Sequence, residues 1–190
     1  MAAVATRSYT VEEYLELDAE ADDERYELQD GSVIPMAGAE PEHNQIKDNV
    51  SRELGNRLVA RDCYVMTSDQ RVRVSFGYVY PDVVVACEPT YEDTRPRTLQ
   101  NPDMIVEVTS DSPRARDHSD KLAAYTELDG LREYWVIDPD KPLLTQYTRD
   151  ADGWRVRSHT ALSDAVESEA FELNVSLRYL YALVLEETDE

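Results

Sequence analysis

Two short apolar runs, Tyr80 to Cys87 (YPDVVVAC) and Met104 to Val108 (MIVEV), constrain this chain more than any other feature. Both are rich in β-branched residues and too short for a buried helix, so each predicts a strand packed on at least one face. Each also carries a carboxylate: Asp82 at the start of the first, Glu107 inside the second. Burying a carboxylate costs several kcal/mol unless it is paired or holds a metal, so a run of this kind points to a partner for Glu107. Glu107 facing outward from an edge strand, and Asp82 solvated at a strand end, are the bland alternatives. Side by side on adjacent strands, the two would offer the oxygen ligands that Mg²⁺ or Mn²⁺ prefers.

The rest of the chain supplies helices around these strands. Thr10-Val11-Glu12-Glu13 is a capping box that opens a short helix. Asp30-Gly31 between Arg25-Tyr26-Glu27-Leu28-Gln29 and Ser32-Val33-Ile34-Pro35-Met36 predicts a hairpin. Glu42 to Ala60 sets Ile46, Val50, Leu54, Leu58 and Val59 at helical spacing, and Asp117 to Leu128 does the same with Leu122, Tyr125 and Leu128. Strands are expected at Arg71 to Val74 and Glu133 to Asp138. A further hairpin is expected from Leu143-Leu144-Thr145-Gln146-Tyr147 to Trp154-Arg155-Val156-Arg157, and a last helix from about Ser176 to Leu185. This pattern predicts an α/β fold, a mixed central sheet flanked by helices. No linker divides residues 1–190, so a single domain is expected: N-terminal helix and hairpin at 10–36, core at 42–138, C-terminal strands and helix at 143–185.

Charge narrows the function. With 19 basic and 40 acidic residues the formal net charge is −21, which excludes a passive nucleic-acid coat built on a basic stripe. It leaves room for a nuclease whose acidic cleft binds a divalent cation. The bases include only three lysines, Lys47, Lys121 and Lys141, so each lysine's position is informative. High acid with little lysine fits either a salt-adapted cell or a genome that favours arginine. No apolar run is long enough to span a bilayer and no signal-peptide core is visible, so no membrane partner and a cytoplasmic location are expected. Cys63 and Cys87 are read accordingly as reduced, packed thiols.

Several chemistries are set aside. The chain has no Gly-rich phosphate loop, no G-x-S-x-G elbow and no H-E-x-x-H, and His43, His118 and His159 lack zinc spacing. Lys121 lies one turn after Asp117 on the helix that follows the Glu107 strand, where it either forms a surface pair or stabilises charge at a phosphate. Glu27 is either a third carboxylate of the site or a cross-strand partner for an arginine. His43 at a helix start, and Arg114 and Arg116 in a loop, are candidates to hold phosphate or simply solvated. Tyr134, Trp135, Tyr147 and Trp154 fit a homodimer interface or core packing equally.

The ordered segments TVEEYLEL, RYELQDGSVIPM, PEHNQI, YVYPDVVVAC, NPDMIVEVTSDSPRARDHSDKLAAYTEL and LREYWVIDPD resemble the Uma-type restriction endonuclease family of the PD-(D/E)XK nuclease superfamily. They reach from Thr10 to about Trp154. Pro81-Asp82 followed by Glu107 on a later strand matches the superfamily signature, Glu27 matches a glutamate that precedes the core, and Lys121 matches a relocated lysine. The superfamily's lysine would otherwise fall two residues after Glu107, where this chain has Thr109. The resemblance implies a restriction-endonuclease-like core. It further implies Mg²⁺ or Mn²⁺ held by Asp82, Glu107 and the Val108 carbonyl, and hydrolysis of DNA phosphodiesters with Lys121 and Glu27 supporting the site. The alternative is a catalytically inactive scaffold with the same fold, and action on RNA is a third reading.

Overall fold

In a computed structural model, residues 7–21, 24–36, 38–109 and 115–185 are described, with only the backbone described at 115–119. Helix α1 (Val11–Glu20) begins at the capping box: the Thr10 hydroxyl accepts from the Glu13 N–H at 3.2 Å, and the Glu13 carboxylate accepts from the Thr10 N–H at 3.0 Å. Strands β1 (Tyr26–Gln29) and β2 (Ser32–Pro35) form the hairpin, with Asp30 and Gly31 at φ 47° and 78° as a two-residue primed turn requires. Helix α2 (Pro41–Leu58) starts on a proline, whose missing N–H would have had no intrahelical partner.

Next come β3 (Cys63–Thr67), β4 (Arg71–Val74), β5 (Gly77–Val79), β6 (Val83–Cys87), β7 (Tyr91–Glu92), β8 (Thr98–Leu99) and β9 (Met104–Val108). After α3 (Ala115–Thr126) follow β10 (Glu133–Asp138), β11 (Leu143–Asp150), β12 (Gly153–His159), β13 (Ala165–Ser168), β14 (Leu173–Ser176) and the short α4 (Leu177–Leu180). The last helix is shorter than the expected 176–185, because Leu183 takes a left-handed φ of 68° that a helix cannot continue through.

Among the described residues the strands form two six-stranded mixed sheets and a hairpin. The central sheet runs β12-β11-β10-β9-β6-β3, with β9 and β10 parallel and the other pairs antiparallel. The second runs β2-β1-β5-β4-β8-β7, and β13 pairs with β14 alone. Arg71 to Val74 and the first hairpin therefore belong to a separate layer, not to the central sheet.

Alternation along β9 organises the core. Met104, Val106 and Val108 pack with Ile46, Val50, Leu54 and Leu58 of α2 on one face. Ile105 packs on the other face with Ala124 and Tyr125 of α3 and with Val72 and Val79 of the second sheet. Period-two alternation puts Glu107 on the α3 side with Ile105. Trp135 and Tyr134 are buried in the core, and Tyr147 and Trp154 pack against it, so these aromatics serve packing.

The reading of two free thiols is corrected. Cys63 and Cys87 face each other in the β3–β6 register, with Cα atoms 4.1 Å apart, and are joined as a disulfide. Neighbouring antiparallel strands bring directly opposed residues this close, a proximity that the 24-residue sequence separation conceals.

Candidate active site

The site lies where β6, β9, β1 and α3 meet. The β6–β9 register pairs Val83 with Val106, and one further step along both strands sets Asp82 opposite Glu107. Asp82 Oδ2 accepts from the Val108 N–H at 2.8 Å, which ties it to the end of β9. From α2, His43 Nε2 stands 3.2 Å from the same oxygen. Lys121 and Tyr125, one turn apart on α3, face Glu107 together. Tyr125 donates to Glu107 Oε1 at 2.7 Å, and Lys121 Nζ lies 3.7 Å from that oxygen. Lys121 also donates to Glu27 Oε1 at 2.9 Å, an oxygen that accepts from the Tyr80 N–H at 3.1 Å. Gln29 holds the other Glu27 oxygen at 2.9 Å.

Glu27, Asp82, Glu107, Lys121 and His43 are thus brought to one place, two of the acids nearly out of solvent: Glu27 is 6% and Glu107 7% exposed. Val108 and Asp82 open onto a cleft of about 570 Å³ that His43, Lys47, Ser68 and Thr109 also line. Among the described residues, no group of three or more His, Cys, Asp or Glu side chains is placed so that it could hold a metal ion. Arg114 lies outside the described residues, as does the Arg116 side chain.

Electrostatics follow from burial and from the excess of acid. Burial pushes the Glu107 carboxyl up to about 7, against the pull of Lys121 and with the help of the Asp82 and Glu27 charges. Burial also lowers His43, but the hydrogen bond and charge of Asp82 outweigh it and leave the imidazole above its ordinary value. The Tyr125 hydroxyl is held well above its usual range by burial and by Glu107, so it remains a proton donor to that carboxylate.

Sequence reasoning missed three contributors. Tyr125, read as an apolar helix residue, is the hydroxyl partner of Glu107. Asp18 and Arg71 form a fully buried ion pair at 2.7 Å, to which the Tyr80 hydroxyl adds a bond to Asp18 at 2.6 Å. Arg71 is further satisfied by Thr98 Oγ1 at 2.8 Å and the Pro96 carbonyl at 2.7 Å. This network anchors Tyr80, whose backbone N–H positions Glu27. Only the one-turn spacing of Lys121 and Tyr125 was a usable signal.

Known proteins resemble this chain in sequence or in fold. The protein sll1609 of Synechocystis sp. is 36% identical over 141 residues, which span 73% of this chain and 79% of that one. The protein slr1290 of the same organism is 28% identical over 173 residues, 90% of each chain. A crystal structure described as "a putative nuclease belonging to DUF820", from Anabaena variabilis, superposes with a TM-score of 0.73 at 18% identity, covering 93% of this chain and 99% of its own. At that identity it shows a common fold. The sequence pattern of the Uma2 family, described as "Putative restriction endonuclease", matches residues 11–179, and the chain belongs to that family.

Proposed function

We propose that this protein is a Mg²⁺- or Mn²⁺-dependent endonuclease that hydrolyses DNA phosphodiesters at the Asp82–Glu107 site. The carrying observation is the charge balance around Lys121. Three acids, Glu27, Asp82 and Glu107, lie close together; Lys121 pairs with Glu27 and Glu107, Asp82 meets His43, and among the described residues Lys121 is the one permanently charged base in ion-pair contact with any of the three. The pocket therefore has carboxylate in excess, and a divalent cation is the compensation that hard oxygen ligands favour. The donor set fits such an ion: the Asp82 and Glu107 carboxylates would hold it, with the Val108 carbonyl at the cleft wall. Mg²⁺ retains several of its waters, so two carboxylates suffice on the protein side. When bound, the cation supplies Lewis acidity toward the phosphate and its attacking water.

The chain's own groups do the rest. The Lys121 ammonium, fixed by Glu27 Oε1, places positive charge beside Glu107 that favours the deprotonated form of the attacking water. Tyr125 keeps the Glu107 carboxylate turned toward Lys121 through its hydroxyl. His43 Nε2 holds Asp82 from the cleft side. DNA is favoured as substrate by the family's description as a restriction endonuclease.

The test is cleavage of supercoiled DNA and of a structured RNA in Mg²⁺ and in chelator, alongside melting with and without Mn²⁺. Mg²⁺-stimulated DNA cleavage and a raised melting temperature are expected. Cleavage that persists in chelator contradicts the metal role, and cleavage of RNA alone contradicts the substrate. No cleavage and no melting shift identify a scaffold with a nuclease fold.

A further inference from the structure

We infer that Lys47 is a phosphate-gripping residue of the cleft, holding the nucleic-acid backbone beside the bond that is cut. The inference rests on the nuclease reading above and extends it to how the substrate is held. The chain has 40 acidic residues and only three lysines. Lys121 is engaged by Glu27 and Glu107, and Lys141 stands 3.2 Å from Asp138. Lys47 differs. Among the described residues no carboxylate lies within ion-pair distance of it, although Glu40, Glu42 and Asp140 line the same cleft. Its Nζ instead donates to the Ser68 hydroxyl at 3.2 Å.

That arrangement suits an anion. Ser68 takes one of an ammonium's three donors and fixes the direction of the half-buried side chain, leaving charge available to the cleft. Lys47 follows His43 by one turn of α2, so both lie on one face, and His43 touches Asp82. The Lys47 backbone thus sits roughly 6 Å along the helix axis, at about 1.5 Å per residue, beyond the residue that meets the metal-binding acid. A phosphodiester strand entering a cleft with acidic walls needs such a point of attraction, and lysine serves phosphate as a compact charge.

The experiment uses the full chain and a short fluorescent DNA duplex, with binding measured over a salt series in Ca²⁺ and steady-state cleavage measured in Mg²⁺. Lys47→Gln should weaken binding about tenfold, raise KM more than it lowers kcat, and reduce the slope of log affinity against log salt by about 0.9. Lys47→Arg should keep the wild-type slope. A Lys47→Gln protein with wild-type affinity and slope, while the wild type cleaves, overturns the assignment and leaves the nuclease reading standing. A wild type that neither binds nor cleaves overturns both.

Discussion

Lys121 Nζ lies 2.9 Å from Glu27 Oε1, so residues 94 positions apart, one on α3 and one on β1, share a hydrogen bond beside the Glu107 carboxylate. In the nuclease superfamily that the sequence resembles, the lysine falls on the same strand as the second acid. Here that position is Thr109, whose N–H bonds to the Ile137 carbonyl at 2.8 Å in the β9–β10 ladder. The amine arrives from the following helix instead, and Glu27 fixes where it stops.

Lys121→Met should lower kcat about 10²–10³-fold, the scale of removing one donor aimed at developing charge. Glu27→Gln keeps a hydrogen-bond acceptor for Lys121 and should cost less. Single-turnover cleavage, with circular dichroism to verify folding, measures both. A Lys121→Met enzyme of wild-type rate would remove the amine from the chemistry.

Glu107 makes stability depend on pH in a defined direction. Its carboxyl is raised from 4.5 to about 7. Between those values the folded protein keeps a proton that the unfolded chain has released, so stability falls as pH rises across that window and then levels. The slope for one such proton is at most about 1.4 kcal/mol per pH unit. Urea unfolding of wild type and Glu107→Gln in chelator, from pH 5 to pH 8, should give a stability difference that shifts against the wild type with rising pH. A constant difference contradicts the burial argument.

The Asp18–Arg71 pair is a structural requirement, since both side chains are fully excluded from solvent. Arg71→Met should destabilise by about 3–5 kcal/mol, because it strands a buried carboxylate. Adding Asp18→Asn should recover part of that loss. Chemical denaturation of the single and double variants measures the coupling, and strict additivity would argue against a direct pair.

The Cys63–Cys87 bond closes a loop with 24 residues of separation, and its reduction should cost roughly 3 kcal/mol by loop entropy. Thiol titration of unreduced, denatured protein should find no free sulfhydryl, and reductant should lower the melting temperature. Two titratable thiols in protein purified without reductant would contradict the bond.

What was legible in the sequence was local. Asp82 and Glu107 stood out because each sits in a short apolar run, and strand alternation then aimed Glu107 toward α3. The capping box at Thr10 and the Asp30-Gly31 turn formed as written because their hydrogen bonds and dihedrals involve only neighbouring residues. Glu27 and Lys121 were candidates with equally good bland readings, and the family resemblance favoured the site, since nothing local joins a hairpin residue to a helix residue so far along the chain. The second sheet was hidden because β5, β7 and β8 are only two or three residues long, too short for a period to register. Asp18 and Arg71, 53 positions apart, look like ordinary surface charges until the tertiary fold buries them together. The disulfide was missed for the same reason: the register of β3 against β6 is set by packing, not by any pattern around the cysteines.

Whether Asp82 and Glu107 together hold a divalent cation for hydrolysis can be read from calorimetric titration with Mn²⁺. Wild type should bind Mn²⁺ at this site with release of heat or protons, and Asp82→Asn and Glu107→Gln should each remove that binding together with Mg²⁺-dependent cleavage. Unchanged Mn²⁺ binding and cleavage in both variants would contradict the account.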